Sequence, residues 1–294
     1  MLLQLTLLIL LSVSTVIAQT PSNLQCQFAA PTPQSQTTYP DIVNSKEKDK
    51  DSHHKQICTM EKADNAHAPN LAKHDTDGNL IWHYVFPGSG PDQGQDVVMD
   101  DNGNIYIIGQ FRSWIDLDLD PNNGTFINST YRQQDVYVAA YQDNGNSISF
   151  KWAINLPGRD RAEGSAITTD GQGNITIAGH FTSDLEVLGN NYTSAGSYDI
   201  FMAGLKDNGS SASLSWSFQV GDTKTDQAYS LAVNQQGDFY VTGNFEENCN
   251  FDPLGGNANA QLSAQDRQPF LAKYDANGQY LWGHHFDGGQ YNTG

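Results

Sequence analysis

The sequence predicts an all-β protein made of tandem four-stranded antiparallel units, and three observations predict it. Trp82, Trp152, Trp216 and Trp282 recur at spacings of 70, 64 and 66 residues. Gly109, Gly179 and Gly243 step by 70 and 64, as do Phe111, Phe181 and Phe245. Each unit holds four short runs rich in β-branched and aromatic residues, parted by Gly, Asn and Asp turns. Four short strands per unit at a long, steady period is the pattern of β-propeller blades.

The elements follow in order. The first strands are read at 96–100, 166–170 and 230–234, each closed by a turn with Gly103, Gly173 or Gly237. The second strands are 104–111, 174–181 and 238–245. A longer, less regular connection leads to the third strands at 135–141, 199–205 and 269–274. A hairpin follows at Asp143-Asn-Gly145, Asp207-Asn-Gly209 or Asp275-Ala-Asn-Gly278, where Asn-Gly supplies the positive φ of a tight turn. The fourth strands, 150–154, 214–220 and 280–286, carry the tryptophans.

Alternation in the second strand decides between a half-solvated sheet and a stacked one. Ile105, Ile107, Gly109 and Phe111 share one face; Tyr106, Ile108 and Gln110 share the other. A sheet wetted on one side would show polar residues on one of these sets. Both are apolar, as a blade between two neighbours requires.

These phrases resemble a family of bacterial secreted proteins with tandem seven-bladed β-propeller repeats. The likeness lies in Asp-Ile-Phe-Met-Ala-Gly-Leu-Lys-Asp-Asn-Gly at 199–209 and Asp-Gly-Gln-Gly-Asn-Ile-Thr-Ile-Ala-Gly-His-Phe at 170–181. A third phrase is imperfect, at 118–124 and 250–255, and weak in the middle unit at 184–189. The resemblance covers about residues 70–294 and implies a propeller in a secreted or surface protein. It carries no catalytic residues with it.

The units do not complete a ring. The repeat region opens with only a third and fourth strand, Leu71–His74 and Leu80–Phe86, and three full units follow. About three and a half blades fall short of the four to eight of a closed propeller. The expectation is therefore an incomplete propeller, a piece of a longer protein, with an independent open module as the alternative.

The domain reading has three parts. Residues 1–18 hold an apolar run ending in Val16-Ile17-Ala18 and read as a signal peptide, although no basic residue precedes the run. Residues 19–68 are polar, with Pro31-Thr-Pro33 and the charged run Lys46–Asp51, and read as a disordered linker. Residues 69–294 are the repeat region. Secretion, to the extracellular space or cell surface, follows from the leader. No later run is apolar enough to span a bilayer.

Charge excludes some partners. The chain has 15 basic and 33 acidic residues, a net charge of −18, and the repeat region alone carries −17. Such a surface repels nucleic-acid phosphates and anionic membranes. Of three cysteines, Cys26 and Cys58 could pair in an oxidising compartment, leaving Cys249 over. Five Asn-X-Ser/Thr sequons, at Asn123, Asn128, Asn174, Asn191 and Asn208, would matter only in a glycosylating cell.

Two candidate sites stand out. Asp116, Asp118 and Asp120 alternate with leucines and could converge on Ca2+ if the segment loops; if it stays extended they line one strand face. Gln110, His180 and Asn244 hold one position in three units, as a polar ring suited to a sugar or ion, or as rim residues capping their strands. No nucleophile elbow, zinc-hydrolase helix motif or phosphate loop is present. No cofactor is implied beyond Ca2+ at the aspartates. The reading is a secreted, non-enzymatic propeller module acting as scaffold or interaction surface for an extracellular protein or glycan. A lectin-like propeller is the alternative, and a propeller-scaffold glycoside hydrolase or lyase the second.

Overall fold

The computed structural model describes residues 68–120, 124, 126–255, 257 and 260–286, with the backbone of Leu24–Cys26 and Ile57–Lys62. The run read as a signal peptide and the side chains of Cys26 and Cys58 lie outside the described residues.

Among the described residues the elements are all β, grouped into four successive antiparallel sheets. Strand β1 (Leu24–Cys26) lies apart in sequence. The first sheet is β2 (Ile57–Lys62), β3 (Pro69–His74) and β4 (Leu80–Val85). The second is β5 (Gln93–Met99), β6 (Asn104–Arg112), β9 (Gln134–Asp143) and β10 (Ile148–Leu156), with β1 added at the edge of β5. Its small hairpin β7 (Trp114–Asp116) and β8 (Phe126–Asn128) sits in the connection before β9. The third sheet is β11 (Ala162–Thr169), β12 (Asn174–Phe181), β15 (Asp199–Asp207) and β16 (Ala212–Val220), with hairpin β13 (Asp184–Val187) and β14 (Asn190–Thr193). The fourth is β17 (Gln227–Val233), β18 (Phe239–Phe245), β21 (Gln268–Tyr274) and β22 (Tyr280–His285), with hairpin β19 (Asn248–Asn250) and β20 (Gln261–Ser263).

The architecture departs from the sequence reading in three places. Strands β1 and β2 both fall in the segment read as linker; β1 pairs with β5, and β2 pairs with β3, so the first sheet has three strands rather than two. The first strands begin earlier, at Gln93, Ala162 and Gln227. Each breaks register near its start, between Gly94 and Asp96, Gly164 and Ala166, and Ala228 and Ser230. The extra residue flips the alternation, which hides the strand's beginning from a period-two pattern. The connection after each second strand is not irregular but holds a hairpin.

The sheets stack through both faces. Ile105, Ile107 and Phe111 of β6 turn back and form a core with Leu71, Trp82 and Phe86 of the first sheet. Tyr106 and Ile108 turn forward and join Ile175, Ile177, Phe201 and Leu205 of the third. The third sheet sends Ala178, Met202, Phe218 and Val220 forward onto Phe239, Val241, Phe270 and Tyr274. Trp216 stacks on Phe239 across that junction, 5.2 Å between centroids and 6° from parallel. Three cores between four sheets thus account for apolar residues on both sets of a strand.

Glycine is required where sheets meet most closely. A Cβ at Gly164 would lie 2.5 Å from Ile108 Cγ1, so any side chain there would hold the second and third sheets apart.

Polar clasps cross the same junctions. Asp207, at the hairpin end of β15, accepts hydrogen bonds from the Tyr106 hydroxyl (2.8 Å), Trp152 Nε1 (2.9 Å) and Lys151 Nζ, all in the preceding sheet. Burial pushes its pKa up, but the bonds from Lys151 and Trp152 outweigh that and hold it below the ordinary value. Lys73 of β3 likewise reaches forward to Asp143.

Candidate functional site: a polar cluster repeated on three sheets

The register breaks in β5, β11 and β17 do more than bend the strands. Each adds an extra residue, Gln95, Ser165 or Tyr229: Gln95 and Tyr229 bond the residue two before them, and Ser165 and Tyr229 meet the partner strand. In the second sheet Gln110 Nε2 donates to Gln93 Oε1 at 3.0 Å, and Gln95 Nε2 donates to the same oxygen at 3.4 Å. In the third, His180 Nδ1 lies 3.3 Å from Ser165 Oγ and Nε2 lies 3.4 Å from Glu163 Oε2. In the fourth, the Tyr229 hydroxyl donates to Gln227 Oε1 at 3.0 Å and receives Asn244 Nδ2 at 3.5 Å.

The three clusters occupy one level of neighbouring strands, because β11 packs against β5 on one side and β17 on the other. Beside them, Gln134 of the second sheet donates to Ala162 O of the third at 3.4 Å. Gln110 and His180 are buried and Asn244 is half-buried. Gln110 Oε1 is buried and has no hydrogen-bond partner among the described residues, a costly state unless a donor comes to it. The bond with His180 lowers the pKa of Glu163; burial opposes this and nearby Arg161 adds to it.

The sequence placed Gln110, His180 and Asn244 at one position, and the structure puts each opposite its first-strand partner: Gln93, Glu163 or Gln227. Gln93, Gln95, Glu163, Ser165, Gln227 and Tyr229 were missed. Their signal was faint: a polar residue on each side of Gly94, Gly164 or Ala228.

Ser165, His180 and Glu163 place a hydroxyl, an imidazole and a carboxylate in sequence. Both separations exceed the hydrogen-bond reach typical of an activated nucleophile. In the neighbouring sheets the same positions hold amides and a phenol, so this is one version of a repeated polar cluster.

The aspartate segment loops rather than running on as a strand. Asp116 Oδ1 accepts from Asp118 N at 3.3 Å, Asp118 Oδ1 accepts from Asp120 N at 3.0 Å, and Leu119 has φ 66°. Burial, with the charges of Asp118 and Asp120 adding to it, raises the pKa of Asp116 although the Asp118 N–H opposes this.

A different trio gathers its ligand atoms within 4.8 Å: Asp222, Asp226 and Cys249. Asp226 is fully engaged, accepting from Glu246 N, Asp222 N and the Cys249 thiol. Burial raises its pKa to about 6 and raises that of the thiol as well, so Cys249 stays protonated and donates. The trio clamps the turn before β17 to the hairpin of β19.

A shallow depression of about 380 Å³ between the third sheet and the β19–β20 hairpin is lined by Tyr192, Gln219, Asn250 and Leu254 among others. Among the described residues no carboxylate or imidazole lines it. No protein-family model matches the chain, and no curated protein matches it. The likeness to secreted propeller repeats therefore rests on the phrases quoted above.

Proposed function

We propose that this chain is a secreted, non-enzymatic β-propeller-type module that serves as an interaction surface. One observation carries the proposal. Three sheets hold one backbone device, the bulged first strand, and vary only the polar groups it displays: amides, then Ser–His–Glu, then phenol and amides. A repeated frame with exchanged side chains suits recognition. The net charge of −18 turns that recognition away from nucleic acid and anionic lipid.

A neutral glycan is the favoured class of ligand within this reading. Amides and hydroxyls recognise sugar hydroxyls through paired donors and acceptors, and Gln110 Oε1 is a buried acceptor awaiting a donor. Ca2+ at Asp116, Asp118 and Asp120 belongs to the same proposal, as a site stiffening the β7 loop.

The test is a glycan array with the secreted chain, repeated with Gln110→Leu, His180→Leu and Asn244→Leu. Binding to a neutral saccharide, weakened about tenfold by Gln110→Leu, is the expected result. An array at background, together with turnover of any substrate abolished by Ser165→Ala or Glu163→Gln, would replace the module with an enzyme.

A further inference from the structure

Each sheet covers the forward face of the sheet before it, and positions on that face can be followed through the repeat. Phe86, just after β4, and Leu156 and Val220, at the ends of β10 and β16, hold one position in the first three sheets, and each is at most 1 % exposed. Their counterpart Phe286 is 38 % exposed. Ile108 and Ala178 are fully buried, whereas Thr242 at the same place is exposed.

The hydrogen-bonding groups of the face recur as well. In the second sheet Tyr106, Lys151 and Trp152 grip Asp207 of the next hairpin. In the third, Trp216 Nε1 donates to Ala276 O of the next hairpin at 3.1 Å. In the fourth, Tyr240 and Trp282 occupy the positions of Tyr106 and Trp152, with ring centroids 6.0 Å apart. Lys273 occupies the position of Lys73 and lies 5.4 Å from the Tyr240 ring centroid. Lys73 reaches forward to Asp143, whereas Lys273 turns to Asp238 of its own sheet at 2.7 Å.

We infer that the forward face of the fourth sheet is a docking surface for a further four-stranded sheet of this same repeat, whose hairpin carboxylate meets Tyr240, Lys273 and Trp282. The inference rests on the interaction-module reading and names a partner for it. Continuity with three internal junctions and complementary charge carry it.

The first sheet of a second copy is a poor occupant. Packed sheets present Tyr137-Ala139-Tyr141, Phe201-Ala203-Leu205 or Phe270-Ala272-Tyr274 on the rear of the third strand. The first sheet has Asn70-Ala72-His74 there, and Asn70 and Ala72 are already buried. Rear faces of the other sheets in a second copy are occupied by their own neighbours. The occupant is therefore a repeat sheet with an apolar rear face that is still free.

The experiment extends the chain after Phe286 with a second copy of residues 157–220, the sheet that bears Asp207. Hydroxyl-radical footprinting with peptide mass spectrometry then reads Trp282 and Phe286 in the extended and the native chain. The expected result is a fall of about fivefold in their oxidation rates, toward those of Trp152 and Leu156. Asp207→Asn in the added copy alone, or Lys273→Glu, is expected to return part of that reactivity.

Unchanged rates beside a sheet that folds, shown by its gain in strand circular dichroism, would overturn the inference. An added sheet that stays unfolded overturns it too, since the face then templates nothing. Protection that grows with concentration in the native chain, with doubling of mass, would assign the face to a second copy instead. Glycan binding is untouched by these outcomes, so the docking surface and the polar clusters fail separately.

Discussion

The junction between the second and third sheets and the forward face of the fourth carry kindred side chains in different company. At the junction Leu156 is buried and Tyr106 and Trp152 hold Asp207. On the fourth sheet Phe286, Tyr240 and Trp282 retain solvent-accessible surface. The comparison teaches that strand pattern alone does not set the energetic weight of a position in a stacked fold. The next sheet does.

Truncation is the bluntest way to break that comparison. Leu156→Ala is expected to destabilise the chain by about 3 kcal/mol in urea unfolding, and Phe286→Ala by about 1 kcal/mol or less. Equal losses would mean that the two faces are equally covered.

Acidity sharpens it next. Asp96 faces the third sheet and accepts Ile167 N at 2.9 Å. Burial raises its pKa to about 7, although the Ile167 and Val97 amides pull the other way. A carboxyl raised in the folded state binds its proton more tightly there than in the unfolded chain. Its stabilising contribution is complete below pH 3.8 and is lost as pH rises through about 7. Asp96→Asn should therefore remove on the order of 2–3 kcal/mol of the decline in stability between pH 4 and 7. Ser230, its counterpart on the exposed face, gives no such dependence when changed to Ala. A variant with the wild-type pH profile would show that Asp96 is solvated.

The next contrast is between hairpins. Asp207→Ala leaves Lys151 largely buried beside no carboxylate and is expected to cost about 2 kcal/mol. Among the described residues the Asp275 carboxylate bonds its own turn, at Asn277 N and Gln279 N, and Asp275→Ala should cost about 1 kcal/mol. The smallest effect is expected at the Lys273–Asp238 pair, which is partly buried but lies on the uncovered face, where Lys273→Met changes stability by less than about 1 kcal/mol.

Much of the fold was legible because the repeat marks its own joints. Trp82 and Trp152 pack between sheets, and the two apolar sets of β6 point to two different cores, as their alternation indicated. The turns announced themselves through Asn-Gly and Asp-Gly. What escaped had a physical reason in each case. The starts of β5, β11 and β17 were masked by bulges that reverse the alternation. The hairpins β7–β8, β13–β14 and β19–β20 have strands of only three or four residues, too short for a period to show. Strand β2 is a polar–apolar mixture, Ile-Cys-Thr-Met-Glu-Lys, whose strand form depends on pairing with β3.

The polar clusters were legible by half. Equal spacing exposed Gln110, His180 and Asn244. Their partners Gln93, Glu163 and Gln227 lie some 17 residues earlier in the chain and meet them only because the hairpin closes. Asp207 and Tyr106 are 101 residues apart, and no pattern in either strand points to the other.

That last contact tests the stacking of sheets most directly. A double-mutant cycle of Tyr106→Phe and Asp207→Asn, read by urea unfolding, is expected to give a coupling energy of about 1 kcal/mol or more. A coupling indistinguishable from zero would contradict the stack, since the two side chains would then not meet across adjacent sheets.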